Sequence, residues 1–275
     1  MNKQQQKDLE NIVTEFATQG SILLPGLISR DICEKIVREL GSRGAHYVNQ
    51  NKPTGVWANN QYFDTFALAK NKNVFDLICS PFVEHFCSKY LGDYLLKCHR
   101  YYETYTDHKM PWHTDAKNQT SGLDISIPGV VFLVYLEDTF DGEFQAIRGS
   151  HKNNFDLPFA EFYDDSMVEI KYGEEITSYP GIAGSVSIQE TRAIHRAKPF
   201  VNNSDPLFSR KTLFFQIDQY PNNVEPIYLN SKWLNINSPH QNKLFRLGDE
   251  TIQVENPHPA TNIHTWDQKR FTLLG

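Results

Sequence analysis

His113-Thr114-Asp115, with His195 far downstream and Arg210 beyond it, are the residues of this chain whose types and spacing could do chemistry. Two imidazoles and one carboxylate form the donor set of the facial triad that holds a non-heme Fe(II) while leaving positions open for a chelating co-substrate and O2. Neutral imidazole suits a first-row divalent ion. One carboxylate offsets part of its charge, and three protein ligands rather than four keep the site reactive. In an extended segment residues i and i+2 project to the same side, so His113 and Asp115 can reach one ion while Thr114 faces away. A lone His-x-Asp is weak in a chain with ten histidines, and its surroundings give it weight.

Met110-Pro111-Trp112 precedes the pair, and Gly142-Glu143-Phe144-Gln145-Ala146-Ile147-Arg148-Gly149-Ser150-His151 lies between the ligands. Gly184-Ser185-Val186-Ser187-Ile188-Gln189 then leads toward His195, and Arg210-Lys211-Thr212-Leu213-Phe214-Phe215 follows. Together with Gly20-Ser21-Ile22-Leu23-Leu24-Pro25-Gly26 near the start, these segments resemble, in order, the motifs of the phytanoyl-CoA dioxygenase-like family of Fe(II)/2-oxoglutarate oxygenases. The resemblance covers roughly residues 5 to 218. Asp141, Arg148 and Ser185 depart from the family pattern, and none of them is a proposed ligand.

The resemblance implies that His113, Asp115 and His195 hold Fe(II), and that 2-oxoglutarate chelates the ion with its distal carboxylate on Arg210. It implies hydroxylation with O2, releasing succinate and CO2. A guanidinium is suited to that carboxylate because its planar fork donates two parallel hydrogen bonds. The longer interval before Arg210 leaves Arg192, Arg196 and Lys211 as rival cations. His151 is assigned a structural role, because in the family pattern it closes a turn. Asp115 argues against halogenation, which needs a small residue there. Trp112 and Gln189 are candidate substrate-pocket residues.

The elements that must position these groups are legible in outline. Leu9, Ile12, Val13 and Phe16 recur at helical spacing up to Gly20; Ile32, Cys33, Ile36, Val37 and Leu40 repeat the pattern after Ser29. A third helical region covers about 73–90, with Pro81 interrupting it or opening a new first turn. β-Rich runs follow at 95–105, 129–136, 144–148, 182–188 and 212–217. Short strands after early helices suit a mostly β (α+β) double-stranded β-helix, a jelly roll with the helices of the N-terminal third packed on one face. The expected organisation is one domain over 1–275, with 1–92 as helical support, 93–220 as the core and 221–275 as an extension. The Asn-rich segment 49–62 reads as a loop, either a lid or a plain surface excursion.

A net charge of -6 without a basic stripe argues against nucleic acid as a partner. Apolar runs such as Val130–Leu136 are strand length, too short to span a membrane, and the polar start shows no export signal. Cys33, Cys79, Cys87 and Cys98 lack metal or disulfide spacing, so a reducing cytoplasm is the expected setting. The reading is a cytoplasmic dioxygenase acting on a small-molecule metabolite. A cupin-type metalloenzyme that does not use 2-oxoglutarate and a non-catalytic jelly-roll binding protein remain as alternatives.

Overall fold

Strands buried on both faces along the middle of the chain build two sheets that face each other. The computed structural model describes residues 3–40, 61–64, 66–105, 110–115, 117–118, 122–123, 127–152, 162–201, 209–220, 227–247 and 271–274. Its first sheet has six strands in the order β1 (Ser21–Leu24), β11 (Val186–Glu190), β7 (Gly129–Tyr135), β13 (Ser209–Gln219), β3 (Tyr94–Tyr105) and β2 (Gln61–Asp64). The second has five, ordered β10 (Ile176–Gly181), β8 (Thr139–Ile147), β12 (His195–Ala197), β4 (Trp112–His113) and β9 (Phe162–Tyr163). Every pairing within these two sheets is antiparallel. This is the double-stranded β-helix expected from the sequence. Short strands β5 (Lys117–Asn118) and β6 (Gly122–Leu123) pair with each other, and β14 (Ile227–Asn230) pairs in parallel with β15 (Phe271–Leu274).

The two faces of the six-stranded sheet divide the labour. Val130, Phe132 and Val134 of β7, with Leu213, Phe215 and Ile217 of β13, point outward into the main core. There they meet α1 (Lys3–Gln19), α2 (Arg30–Leu40), α3 (Ala67–Lys70), α4 (Lys72–Ile78) and α5 (Pro81–Tyr90). Phe16 of α1 lies edge-on to Phe86 of α5 at 5.1 Å, and Phe86 lies edge-on to Phe132 at 5.7 Å. Each such contact adds about 0.5–1.5 kcal/mol beyond its buried area. The alternate residues, Ser187 and Gln189 of β11 and Arg210, Thr212 and Phe214 of β13, are left for the interior of the sandwich.

The expected third helix is two helices here: α4 is capped by Asn71, whose side chain accepts from Val74 N at 3.1 Å, and α5 opens at Pro81 behind Ser80. Of the strand expected over 182–188, only 186–188 is strand, in β11; 182–185 form the turn at Gly184 that separates it from β10. That glycine has φ of 88°, and an added Cβ would lie 1.8 Å from Ile28 O. Helices are not confined to the first third. α6 (Asp165–Tyr172), N-capped by Asp164, covers the outer face of the second sheet, and α7 (Pro239–Phe245) lies in the tail. Ile227, Leu229, Leu244 and Phe245 of the tail join the main core, and Tyr94 OH is 2.8 Å from His240 Nδ1. The four cysteines are free, and residues 49–60 of the loop expected at 49–62 lie outside the described residues. No described helix is long and apolar enough to cross a membrane.

Candidate metal centre

β4 and β12 are neighbours, and His195 stands directly opposite His113 across that pair. Residues distant in sequence thus share one patch of one sheet face, with ring centroids 4.2 Å apart. Asp115 follows β4 and is tied down by its own N–H, which donates to Thr191 O at 2.8 Å. The donor atoms of His113, Asp115 and His195 all lie within 4.8 Å of one another. His195 Nε2 is 3.3 Å from Asp115 Oδ2, and His113 Nε2 is 3.9 Å from Asp115 Oδ1.

Backbone carbonyls decide which ring nitrogens can bind an ion. His113 Nδ1 is 2.9 Å from Pro111 O, and His195 Nδ1 is 2.9 Å from Ala193 O. A carbonyl only accepts, so each Nδ1 carries a hydrogen, which leaves Nε2, on the side of Asp115, as the nitrogen that can bind an ion. Burial by itself would raise the Asp115 carboxyl. The charges of His195 and His113, the hydrogen bond from His195 and the charge of Lys97 outweigh that and hold it well below the usual carboxylate range. Two oriented imidazoles and an ionised carboxylate fit a first-row divalent ion, with hydrogen-bonded outer partners of the kind that fix ligand orientation.

Ser150 secures the approach to His195. Its hydroxyl donates to Ile147 O at 2.7 Å and accepts from Ile194 N at 2.8 Å, next to the ligand. His151 turns away from the ligands: its Nε2 lies 3.2 Å from Ala17 O, and its ring fills the space a side chain on Gly20 would need. That is the structural role expected of it.

The rival cations separate by their partners. Arg192 pairs with Glu190 at 2.7 Å, Arg196 with Asp165 at 3.3 Å and Glu169 at 3.1 Å, and Lys211 with Glu137 at 2.7 Å. Arg210 Nε is buried with no hydrogen-bond acceptor among the described residues. Burial pulls its guanidinium below the usual range, and nearby Tyr135 and Glu143 oppose that shift. Tyr135 links the surroundings of Arg210 to the ligands: its hydroxyl donates to Tyr179 O at 2.8 Å and accepts from Phe144 N, and the Phe144 ring lies 5.5 Å from that of His195.

Two candidates stand differently from expectation. Trp112 does not line the interior. One residue from His113, it points to the opposite face and packs with Ile147, Tyr163, Val168, Tyr172 and Ile194, under the Arg196 guanidinium at 4.5 Å. Gln189 does reach the centre, but from the facing sheet, with Nε2 2.9 Å from Asp115 Oδ2 and 3.0 Å from His195 Nε2. Lys97, buried and paired with Asp218 at 3.1 Å, was not anticipated. Its signal was a lysine following directly on the apolar Tyr94-Leu95-Leu96 at the start of β3.

No family model matches this chain, and no curated protein matches it in sequence. Among solved structures, HygX from Streptomyces hygroscopicus, with nickel and 2-oxoglutarate bound, aligns with a TM-score of 0.58 at 17% identity over 83% of this chain and 91% of HygX. The epimerase SnoN, in complex with Fe3+, alpha ketoglutarate and nogalamycin RO, aligns with a TM-score of 0.54 at 16% identity over 78% of this chain and 84% of SnoN. The chain shares its fold with these 2-oxoglutarate-binding enzymes. At such identities the likeness concerns the double-stranded β-helix, and the chemistry must be argued from this chain's own residues.

Proposed function

We propose that this chain is an Fe(II)- and 2-oxoglutarate-dependent dioxygenase of the phytanoyl-CoA dioxygenase-like kind, hydroxylating a small molecule. The observation that carries the reading is the convergence of His113, Asp115 and His195 from two paired strands, with both imidazole tautomers set by backbone carbonyls. HygX has been solved with hygromycin B and SnoN with nogalamycin RO, which supports a small-molecule substrate here.

Bound Fe(II), 2-oxoglutarate and O2 would supply the oxidising chemistry, with succinate and CO2 as co-products. The residues of the chain orient, neutralise and keep the site dry. His113 and His195 present converging lone pairs, and Asp115 offsets charge. Arg210, in low-dielectric surroundings, binds the distal carboxylate of the co-substrate. Phe144 and Ala146 lie beside His195 and, packed with Tyr135 and Tyr179, would exclude water on that side. In this reading 1–275 works as one domain, with 1–92 as support, 93–220 as the catalytic core and 221–275 as an extension.

The test is an anaerobic titration of metal-free protein with Fe(II) and then 2-oxoglutarate, following the visible charge-transfer absorption of the chelate. We expect the absorption to appear. Arg210→Ala should weaken 2-oxoglutarate binding by about tenfold or more, since a hydrogen bond to a charged group contributes roughly 1.5–3 kcal/mol. Iron binding without the absorption would favour a metalloenzyme that does not use 2-oxoglutarate, and absence of iron binding would remove the enzyme reading.

A further inference from the structure

Glu190 ends β11 with a carboxylate that is 0% exposed and lies outside the cluster of ligands. We infer that Glu190 is a positioning residue for Asp115, acting through the Thr191–Arg192 peptide, an inference that rests on the metal-binding reading proposed above.

Both carboxylate oxygens serve Arg192. Oε2 accepts from its backbone N–H at 2.7 Å and Oε1 from its side-chain Nε at 2.7 Å. Hydrogen bonds to an ionised carboxylate are about twice as strong as those between neutral partners. The N–H of Arg192 and the C=O of Thr191 belong to one planar trans peptide and point in opposite directions, so fixing the N–H fixes the carbonyl. That carbonyl accepts from Asp115 N at 2.8 Å. Asp115 depends on this hold, because β4 ends at His113 and its pairing with β12 and β9 stops there.

The other half of the centre repeats the device. Ser150 Oγ accepts from Ile194 N at 2.8 Å, and the carbonyl of that same peptide, Ala193 O, lies 2.9 Å from His195 Nδ1. Each buried side chain takes the N–H of one peptide, and the carbonyl on its far side meets one ligand residue. The turn between the two peptides is closed by Ala193 N, which donates to Glu190 O at 2.9 Å. Its start is pinned by Glu190 N on Gly20 O at 2.8 Å and by Thr191 N on Gly129 O at 3.0 Å. Burying a carboxylate is unfavourable unless it is paired and hydrogen-bonded. An apolar side chain would fill the same space without that penalty, but it could not accept the Arg192 N–H, and the peptide would be free to turn its carbonyl away from Asp115.

Co(II) tests this, because its visible ligand-field bands report the arrangement of the donors as well as their affinity. Glu190→Met removes the acceptor at similar volume; it should alter the bands and weaken Co(II) binding by roughly tenfold or more. Made in an Asp115→Ala background, the same change should weaken binding by less than about twofold, since the peptide then has no ligand to orient. Glu190→Gln keeps an acceptor for the Arg192 N–H and should keep the natural bands. Glu190→Val, β-branched and suited to a strand, serves should the methionine variant not fold, and circular dichroism checks each. Natural bands and affinity in a folded methionine or valine variant, or an equal loss with and without the Asp115 carboxylate, would overturn the positioning role and leave the metal reading standing. A glutamine variant as weak as the methionine one would trace the effect to charge and overturn the route through the peptide. Failure of the natural protein to bind Co(II) would overturn the inference together with the metal reading. A Glu190 effect in a protein that gives no 2-oxoglutarate absorption would sustain the positioning role while removing the oxygenase.

Discussion

Asp115 is the residue on which the electrostatics of the centre converge. Its carboxylate faces both imidazoles, accepts from Gln189 and is anchored through its own N–H to Thr191. Asp115→Ala removes a ligand and the charge that offsets the ion. Metal affinity and oxidation should both fall by at least roughly 100-fold, read by metal titration and by succinate release; near-natural turnover would end the triad assignment. His113, Asp115 and His195 were readable in the sequence because few residue types suit such an ion and the His-x-Asp spacing fits one face of a strand. Proximity in sequence does not place Trp112 at the centre: the pleat of β4 that turns His113 toward the centre sends Trp112 the other way. Alternation alone puts Gln189 on the same side as His195. The turn between them breaks that alternation, and it is the facing of the two sheets that brings the side chains together.

At the scale of elements, one glycine and one ion pair carry the geometry. Gly184 separates β10 from β11 in a left-handed conformation with its α-carbon against Ile28 O. Gly184→Ala should cost more than the roughly 1–3 kcal/mol of left-handed strain alone, because the added carbon also meets backbone that cannot yield. Urea denaturation measures this, and an unchanged midpoint would contradict it. Lys97 sits where the β3–β13 register shifts between Gln216 and Ile217, and Asp218 holds it at 3.1 Å, with Gln216 Nε2 donating to the same carboxylate at 2.8 Å. Lys97→Met leaves that carboxylate buried without its cation, at a cost of about 3–5 kcal/mol in unfolding free energy. Strand-rich composition reveals the strands but not this shift, since one extra residue in a strand does not change its residue composition.

The whole molecule closes its core from both ends of the chain. α1 and α2 cover one region of the six-stranded sheet, while Ile227, Leu229, Leu244 and Phe245 fill in around Phe75 and Tyr94. His99 lies on that covered face of β3, and burial pushes its pKa down from 6.5 to about 3. The unfolded chain takes up a proton below about 6.5 and the folded chain does not until about 3. This contribution is therefore complete above pH 6.5 and is lost as the pH falls through that window, by about tenfold in the folding equilibrium per pH unit. Glu190 acts in the opposite sense. Burial raises it from 4.5 to about 7, so its contribution is full below 4.5 and declines as pH rises toward 7. Comparing the natural chain with His99→Phe isolates the first effect: the variant should lose less stability between pH 6.5 and 4, and parallel profiles would refute it.

The sequence by itself marked the candidate ligands and the kind of elements, because ligand residue types, cap residues and apolar runs are local properties. The clustering residues His113, Asp115 and His195, the N-terminal helices and the strand-rich middle are legible there. Which groups meet was decided by tertiary structure. Pairing of β4 with β12 joins the two halves of the triad. Stacking of the two sheets delivers Gln189, and ion pairing ties up Arg192, Arg196 and Lys211. The tail reaches the same core as the first helices because burying Leu229 and Phe245 removes apolar surface from water regardless of chain distance, and no local pattern encodes that contact.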